Sequence, residues 1–222
     1  MIRNPEDLQQ WRLPRGRHGL PRELVERSQR ERLLAAVVKA TVANGYESTT
    51  VGDILGEAGV GRETFYELFD DKLDCMLSAE KILLDDLEER IREAYLGAAP
   101  WPERVREGLK ATLEWFAADP DIARFLLIEM STIGKAFHSF FQGEYARFTK
   151  LIDEGRDQSG PDPELTQATR LGLGALLARL YEEATLGRAA TLPRFLPDLT
   201  YEFLVPFVGE EVARAEQQRA LA

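Results

Sequence analysis

Apolar residues recur at spacings of three and four along almost the whole chain, and no stretch alternates with period two, so each element the pattern predicts is a helix. A first helix begins by Leu24 to Gln29 and runs to Asn44, with Leu33, Leu34, Val37, Val38, Thr41 and Val42 as its apolar face. Thr50 is a good N-cap and Asp53 follows where a capping-box acid reaches back, so a second helix starts at Val51. Ile54, Leu55 and Ala58 form its stripe, and Gly59 can take the positive φ at which it stops. Val60 fills the angle before a third helix capped by Gly61, in which Phe65, Leu68 and Phe69 share one face. The opposite face holds Arg62, Glu63, Thr64, Tyr66 and Glu67.

Asp70-Asp71-Lys72 breaks and restarts the chain into a long helix to about Tyr95, with Leu73, Met76, Leu83, Leu87 and Ile91 opposite Asp85, Asp86, Glu88, Glu89 and Glu93. Gly97 to Pro100 closes it. Amphipathic helices are then expected over 103–118, 164–186 and 194–215, the last kinked or divided at Pro206, with a loop over 155–163 and loose residues after 215. Small residues at Gly172, Gly174, Ala175 and Ala178 allow close helix approach. The class is all-α.

Composition narrows the field. The 222 residues allow one large domain or two small ones, no uninterrupted apolar run is long enough to cross a membrane, and the N-terminus lacks the apolar core of a signal peptide. A single cysteine, Cys75, cannot form an internal disulfide and sits in an apolar helical pattern, which fits a cytoplasmic protein with Cys75 as a small buried hydrophobe. The net charge of −10 argues at first against nucleic acid. Its distribution reverses that argument: residues 11–72 hold ten Lys/Arg and ten Asp/Glu, so the excess of acid lies beyond them. Residues 11–32 alone carry seven arginines against three glutamates. Pro14, Gly16, Gly19 and Pro21 keep Arg15 and Arg17 out of a helix, so this arm can enter a minor groove next to a helix-turn-helix, or stay a solvated tail.

The mixed outer face of the third helix suits a major groove better than plain solvent. The stretch from Leu33 to Leu77 resembles the helix-turn-helix of the tetracycline-repressor (TetR) family of transcription regulators. Gly45-Tyr46, Thr49-Thr50-Val51, Ile54, Ala58-Gly59-Val60, Thr64-Phe65-Tyr66, Phe69 and Lys72 carry the likeness. It implies a three-helix DNA-binding domain over 28–72 behind an arm at 1–27, then a helical effector-binding and dimerisation domain over 73–222. It implies phosphate contacts from Thr50, Tyr66 and Lys72, and makes Arg15, Arg17, Thr49, Arg62, Glu63 and Thr64 further DNA candidates. Gly61 stands where the family usually has serine, and Glu63 and Glu67 put acids on the reading face, which leaves base preference open.

Residues 122–153, with Trp115 and Phe116 just upstream, are the richest in aromatics. By the resemblance they wall an apolar effector cavity, with Trp115, Phe116, Met130, Phe137, His138, Phe141 and Tyr145 as candidates; by periodicity alone they are equally core. Two histidines cannot make a metal site alone, and no cofactor is expected. No catalytic signature is present, and the pairs Asp70-Asp71, Asp85-Asp86 and Glu182-Glu183 read as solvated charges. The resemblance points to a homodimeric repressor, paired through 164–186 and 194–215, that leaves a palindromic operator when a small apolar or amphipathic effector binds. The alternative is a helical small-molecule enzyme or carrier whose helix-turn-helix is incidental.

Overall fold

Backbone hydrogen bonding among the described residues is helical throughout, with no strand. The computed structural model describes residues 21–97, 100–134, 146–153, 156 and 163–221. They divide into two compact units, the first ending at Asp86 and the second starting at Leu87.

The first unit contains α1 (Arg22–Asn44), α2 (Val51–Ala58), α3 (Arg62–Leu68) and the start of α4 (Lys72–Gly97). Leu33 to Val38, Ala40 and Thr41 are all buried, so α1 is enclosed over more than two turns and not merely faced on one side. Helices α2 and α3 pack on it. From α4, the Cys75 thiol lies 3.9 Å from the Leu33 carbonyl and Met76 Sδ accepts from the Thr41 hydroxyl at 3.9 Å. Fully buried Ile54, Phe65 and Met76 complete this core, each side chain contributing about 1.5–3 kcal/mol of transfer free energy. Burial pushes the Cys75 thiol up to about 12, as befits a small hydrophobe. The first turns of α4 pack in this unit, so the two compact units divide within α4, between Asp86 and Leu87.

The second unit holds the rest of α4, then α5 (Trp101–Ala118), α6 (Pro120–Arg124), a π-turn (Phe125–Glu129), a 3₁₀ turn (Met130–Ile133), α7 (146–153), α8 (Pro163–Thr185), a 3₁₀ turn (Ala189–Phe195) and α9 (Leu196–Arg219). Helix α5 packs against α9 and the 189–195 turn, and α8 packs against α9 and the π-turn. At Gly172 the ring of Phe203 lies on the backbone, where an added Cβ would stand 2.5 Å from it. Of the small residues of α8, Gly172 provides the close approach that the sequence predicts.

Three expectations are corrected here. Helix α9 bends at Gly209 (φ 76°) and not at Pro206, whose fixed φ is compatible with helix, while Gly209 takes a left-handed φ that other residues avoid. Its last turns are ordered: Glu216 is buried and paired with Arg106 (2.9 Å) and Arg219. Two supposed solvated acids have structural roles. Asp71 caps α4, its Oδ1 accepting from the Asp74 N–H at 2.8 Å. Glu183 is 0% exposed and accepts from Arg188 Nε and Nη2 (3.0 and 2.9 Å) and from the Thr191 hydroxyl (3.2 Å). The Arg188 bonds hold the Glu183 carboxyl below the usual glutamate range against the opposing effect of its desolvation.

Candidate functional site

The turn between α1 and α2 is closed from inside. Thr49 is 2% exposed, and its hydroxyl is directed at the carbonyls of Gly45 (2.8 Å) and Ala40 (3.2 Å). Its only proton thus serves the end of α1. Lys72 Nζ donates to the carbonyls of Tyr46 (2.6 Å) and Thr49 (2.8 Å) and lies 4.1 Å from the centroid of the half-buried Tyr46 ring. Desolvation raises the Tyr46 phenol pKa. Lys72 is therefore first a clamp on this turn, with one of its three N–H groups left beyond those two carbonyls.

Thr50 and Asp53 form the expected capping box at the start of α2. The Thr50 hydroxyl accepts from the Asp53 N–H (3.2 Å) and donates to Asp53 Oδ2 (2.7 Å), which also accepts from the Thr50 N–H (2.8 Å). These bonds hold the Asp53 carboxyl below its usual range. Thr50 is exposed, but a phosphate offers only acceptors, so a contact through its hydroxyl requires the proton to turn away from Asp53.

Two arginines that the sequence reading left inside a basic stretch fix α2 and α3. Arg32 Nη2 donates to the carbonyls of Ala58 and Gly59 (2.9 Å), supplying partners that the C-terminal end of α2 lacks. Gly59 takes φ 60° there. Arg30 stands 4.7 Å from the Phe69 ring centroid and donates to the Leu68 carbonyl (3.4 Å) and Ser78 Oγ (3.3 Å), tying the end of α3 to α1 and α4. The demand of those last-turn carbonyls for donors was the available signal.

So held, α3 buries Phe65 and Phe69 and turns Arg62, Glu63, Tyr66 and Glu67 outward, with Thr64 half-buried. Tyr66 is 51% exposed, its ring packed edge-on against Phe65 at 5.3 Å. The N-terminus of α1 is near this surface, since the charge of Glu67 helps raise the pKa of the Arg22 guanidinium, after the larger effect of Glu26. The structure thus brings Arg62, Glu63 and Tyr66 onto one exposed surface and moves Thr49 inside. Arg15 and Arg17 lie outside the described residues.

In the second unit, Phe116 and Met130 are buried and Trp115 packs edge-on against Phe116 at 5.0 Å. Phe137, His138, Phe141 and Tyr145 lie outside the described residues. Glu129, at the end of the π-turn, is buried and paired with Arg124 (3.2 Å). A groove of about 330 Å³ opens between α8 and α9 over Leu109 of α5, its lining apolar except for Glu202. Among the described residues, no cluster of His, Cys, Asp and Glu could hold a metal ion, and no helix is long and apolar enough to cross a membrane.

Residues 33–79 match the family described as bacterial regulatory proteins, tetR family. The uncharacterized HTH-type transcriptional regulator YezE of Bacillus subtilis (strain 168) is 25% identical over 145 residues, which cover 57% of this chain and 71% of YezE. An uncharacterized HTH-type transcriptional regulator from the lacX 3′ region of Lactococcus lactis subsp. lactis is 26% identical over 138 residues, covering 58% of this chain and 68% of that one. The fold is shared with the fatty acid degradation regulator FadR of Bacillus halodurans (TM-score 0.71, 18% identity, 82% of this chain and 97% of that one). It is shared also with FadR of Bacillus subtilis, solved in complex with stearoyl-CoA (TM-score 0.66, 18% identity, 78% and 96%). With its helix-turn-helix braced by Arg30, Arg32 and Lys72 and its third helix turned outward, the chain carries over residues 33–79 the helix-turn-helix of the tetR family of bacterial regulatory proteins and is a transcriptional regulator.

Proposed function

We propose that the protein is a cytoplasmic, homodimeric repressor that leaves a palindromic operator when an amphipathic small molecule binds its second unit. The observation that carries the DNA-binding mode is α3: a helix anchored by Phe65 and Phe69 and exposing Arg62, Glu63 and Tyr66, with Thr64 half-buried beside them, has the form of a major-groove reader. Tyr66, with Lys72 through its remaining N–H, would hold phosphates, and Arg15 and Arg17 would enter the neighbouring minor groove. Pairing through α8 and α9 is supported by the exposed face of α8, where Leu171 is 67% and Tyr181 47% exposed and Ala175 and Ala178 are also exposed. A dimer sets half-sites about 34–36 Å apart or a multiple of that.

The aromatic-rich stretch with Trp115, Phe116 and Met130 is the proposed wall of the effector cavity, completed by Phe137, His138, Phe141 and Tyr145. Because FadR of Bacillus subtilis shares the fold and was solved with stearoyl-CoA, long-chain acyl-CoA thioesters are the first ligands to try. The test is fluorescence anisotropy on a two-fold symmetric duplex recovered by iterative selection at near-physiological salt. Tyr66→Phe should weaken binding about five-fold, the worth of one hydrogen bond of ~1 kcal/mol, without changing the melting temperature. An acyl-CoA should release the duplex. Unchanged affinity in Tyr66→Phe removes Tyr66 from the interface, and failure of every acyl chain length to release DNA removes this effector class.

A further inference from the structure

The exposed face of α3 carries acids where a surface meant only to grip phosphates would carry bases. Glu63 and Glu67 stand one turn apart on a helix of seven residues, a spacing at which like charges repel. The two acids have different surroundings. Glu67 has the Arg22 guanidinium of α1 in its field. Among the described residues, no hydrogen bond or ion pair engages Glu63, whose side chain is exposed at the second position of α3.

A first-turn acid is favoured by the helix dipole, which explains Glu63 in an isolated protein. It does not explain Glu63 on a surface laid against DNA, where every phosphate repels it. A carboxylate offers acceptors only, so in a major groove it must meet an exposed amino donor: cytosine N4 suits it, whereas adenine N6 stands beside the N7 acceptor that repels a second carboxylate oxygen. The residue beside it is complementary: Arg62, also exposed, offers donors only and suits guanine O6 and N7. Residues in the first turn of a recognition helix are the ones that approach base edges.

We infer that Glu63 is a specificity-determining residue that accepts a hydrogen bond from cytosine N4 in each operator half-site. This rests on the DNA-binding mode proposed above. The amide Glu63→Gln keeps the shape but exchanges one acceptor oxygen for an NH2 donor, so that its oxygen can accept from adenine N6 while its NH2 donates to N7. Its preferred base should therefore change at one position per half-site while the rest of the sequence stays fixed.

The experiment is parallel iterative selection from random duplex DNA with the wild-type protein, Glu63→Gln and Tyr66→Phe, followed by affinity measurement on single-base variants of the recovered site. The wild type should enrich a two-fold symmetric sequence with a fixed cytosine in each half. Discrimination against other bases there should be roughly ten-fold. Glu63→Gln should drop that preference to near two-fold or transfer it to adenine, whereas Tyr66→Phe should weaken all sites alike and return the wild-type sequence. A melting temperature unchanged in Tyr66→Phe, and lowered in Glu63→Gln by no more than the lost helix-dipole contribution, ties these changes to the interface. If Glu63→Gln returns the same sequence, or only binds every sequence more tightly, Glu63 is a solvated charge and the inference falls alone. If the wild type enriches no sequence, the DNA-binding mode falls and the inference with it.

Discussion

Lys72 and Tyr66 would look alike as phosphate-contacting residues on sequence grounds, yet their surroundings separate them. Tyr66 is half exposed and engaged through its ring, so its hydroxyl is dispensable to the fold. Lys72 holds the carbonyls of Tyr46 and Thr49, so its removal reaches the fold as well as any phosphate contact. Lys72→Ala should lower the stability of the first unit by about 1–2 kcal/mol, since hydrogen bonds to a charged donor are worth more than neutral ones but this ammonium is only part-buried. Urea unfolding followed by the Tyr46 environment would show it, with Tyr66→Phe as the unaffected control. Gly172 is a second such case. A Cβ there meets the Phe203 ring, itself stacked on Phe207 with centroids 5.9 Å apart. Gly172→Ala should cost about 1–3 kcal/mol by overpacking. Adding Phe203→Leu should recover part of that loss, a non-additivity readable in thermal melts. That small residues line α8 was legible in the sequence; which aromatic would lie on them was not, because the partner comes from a helix about thirty residues away.

At the scale of elements, the sequence was most informative where structure is set locally. The capping box at Thr50 and Asp53, the stop at Gly59 and the phase of Phe65 and Phe69 need only neighbours within one turn, and each stands as expected. Replacing Thr50 by Ala should destabilise the first unit by about 1 kcal/mol. The sequence failed where a carboxylate's fate depends on distant cations. Beside Glu182 in sequence, Glu183 reads as a solvated acid, but the chain returns through Gly187 to put Arg188 and Thr191 on it, with Arg194 Nη2 3.7 Å away. Because its pKa is lowered in the folded state, its contribution is present above the ordinary glutamate value of 4.5 and is lost as the pH falls through the depressed one. The melting temperature of Glu183→Gln should thus lie below that of the wild type at pH 7, and the gap should close in acid. A gap independent of pH would assign the loss to packing alone.

For the whole molecule, the same chain must serve two equilibria. Acid is concentrated outside the DNA-binding stretch, so the second unit adds little phosphate attraction, and in the proposed dimer tight binding has to come from two correctly spaced copies of α3. Disrupting the dimer should then cost more on a full palindrome than on a half-site. Leu171, exposed on α8 at the rim of the groove that also contains Gly172, is the residue on which to test this. Leu171→Glu places a charge at the proposed apolar seam without touching either reading helix. In sedimentation it should shift the protein from dimer to monomer, and affinity for the palindrome should fall toward that for one half-site. The proposed wild-type dimer should also obey reciprocity: if an acyl-CoA weakens DNA affinity by some factor, saturating operator must weaken acyl-CoA affinity by the same factor. In Leu171→Glu that coupling should vanish if the effector acts by changing the spacing of the two reading helices, because a monomer has no spacing to change. Persistence of the full coupling in the monomer would instead locate the effector's action within one subunit, on α2 and α3 themselves.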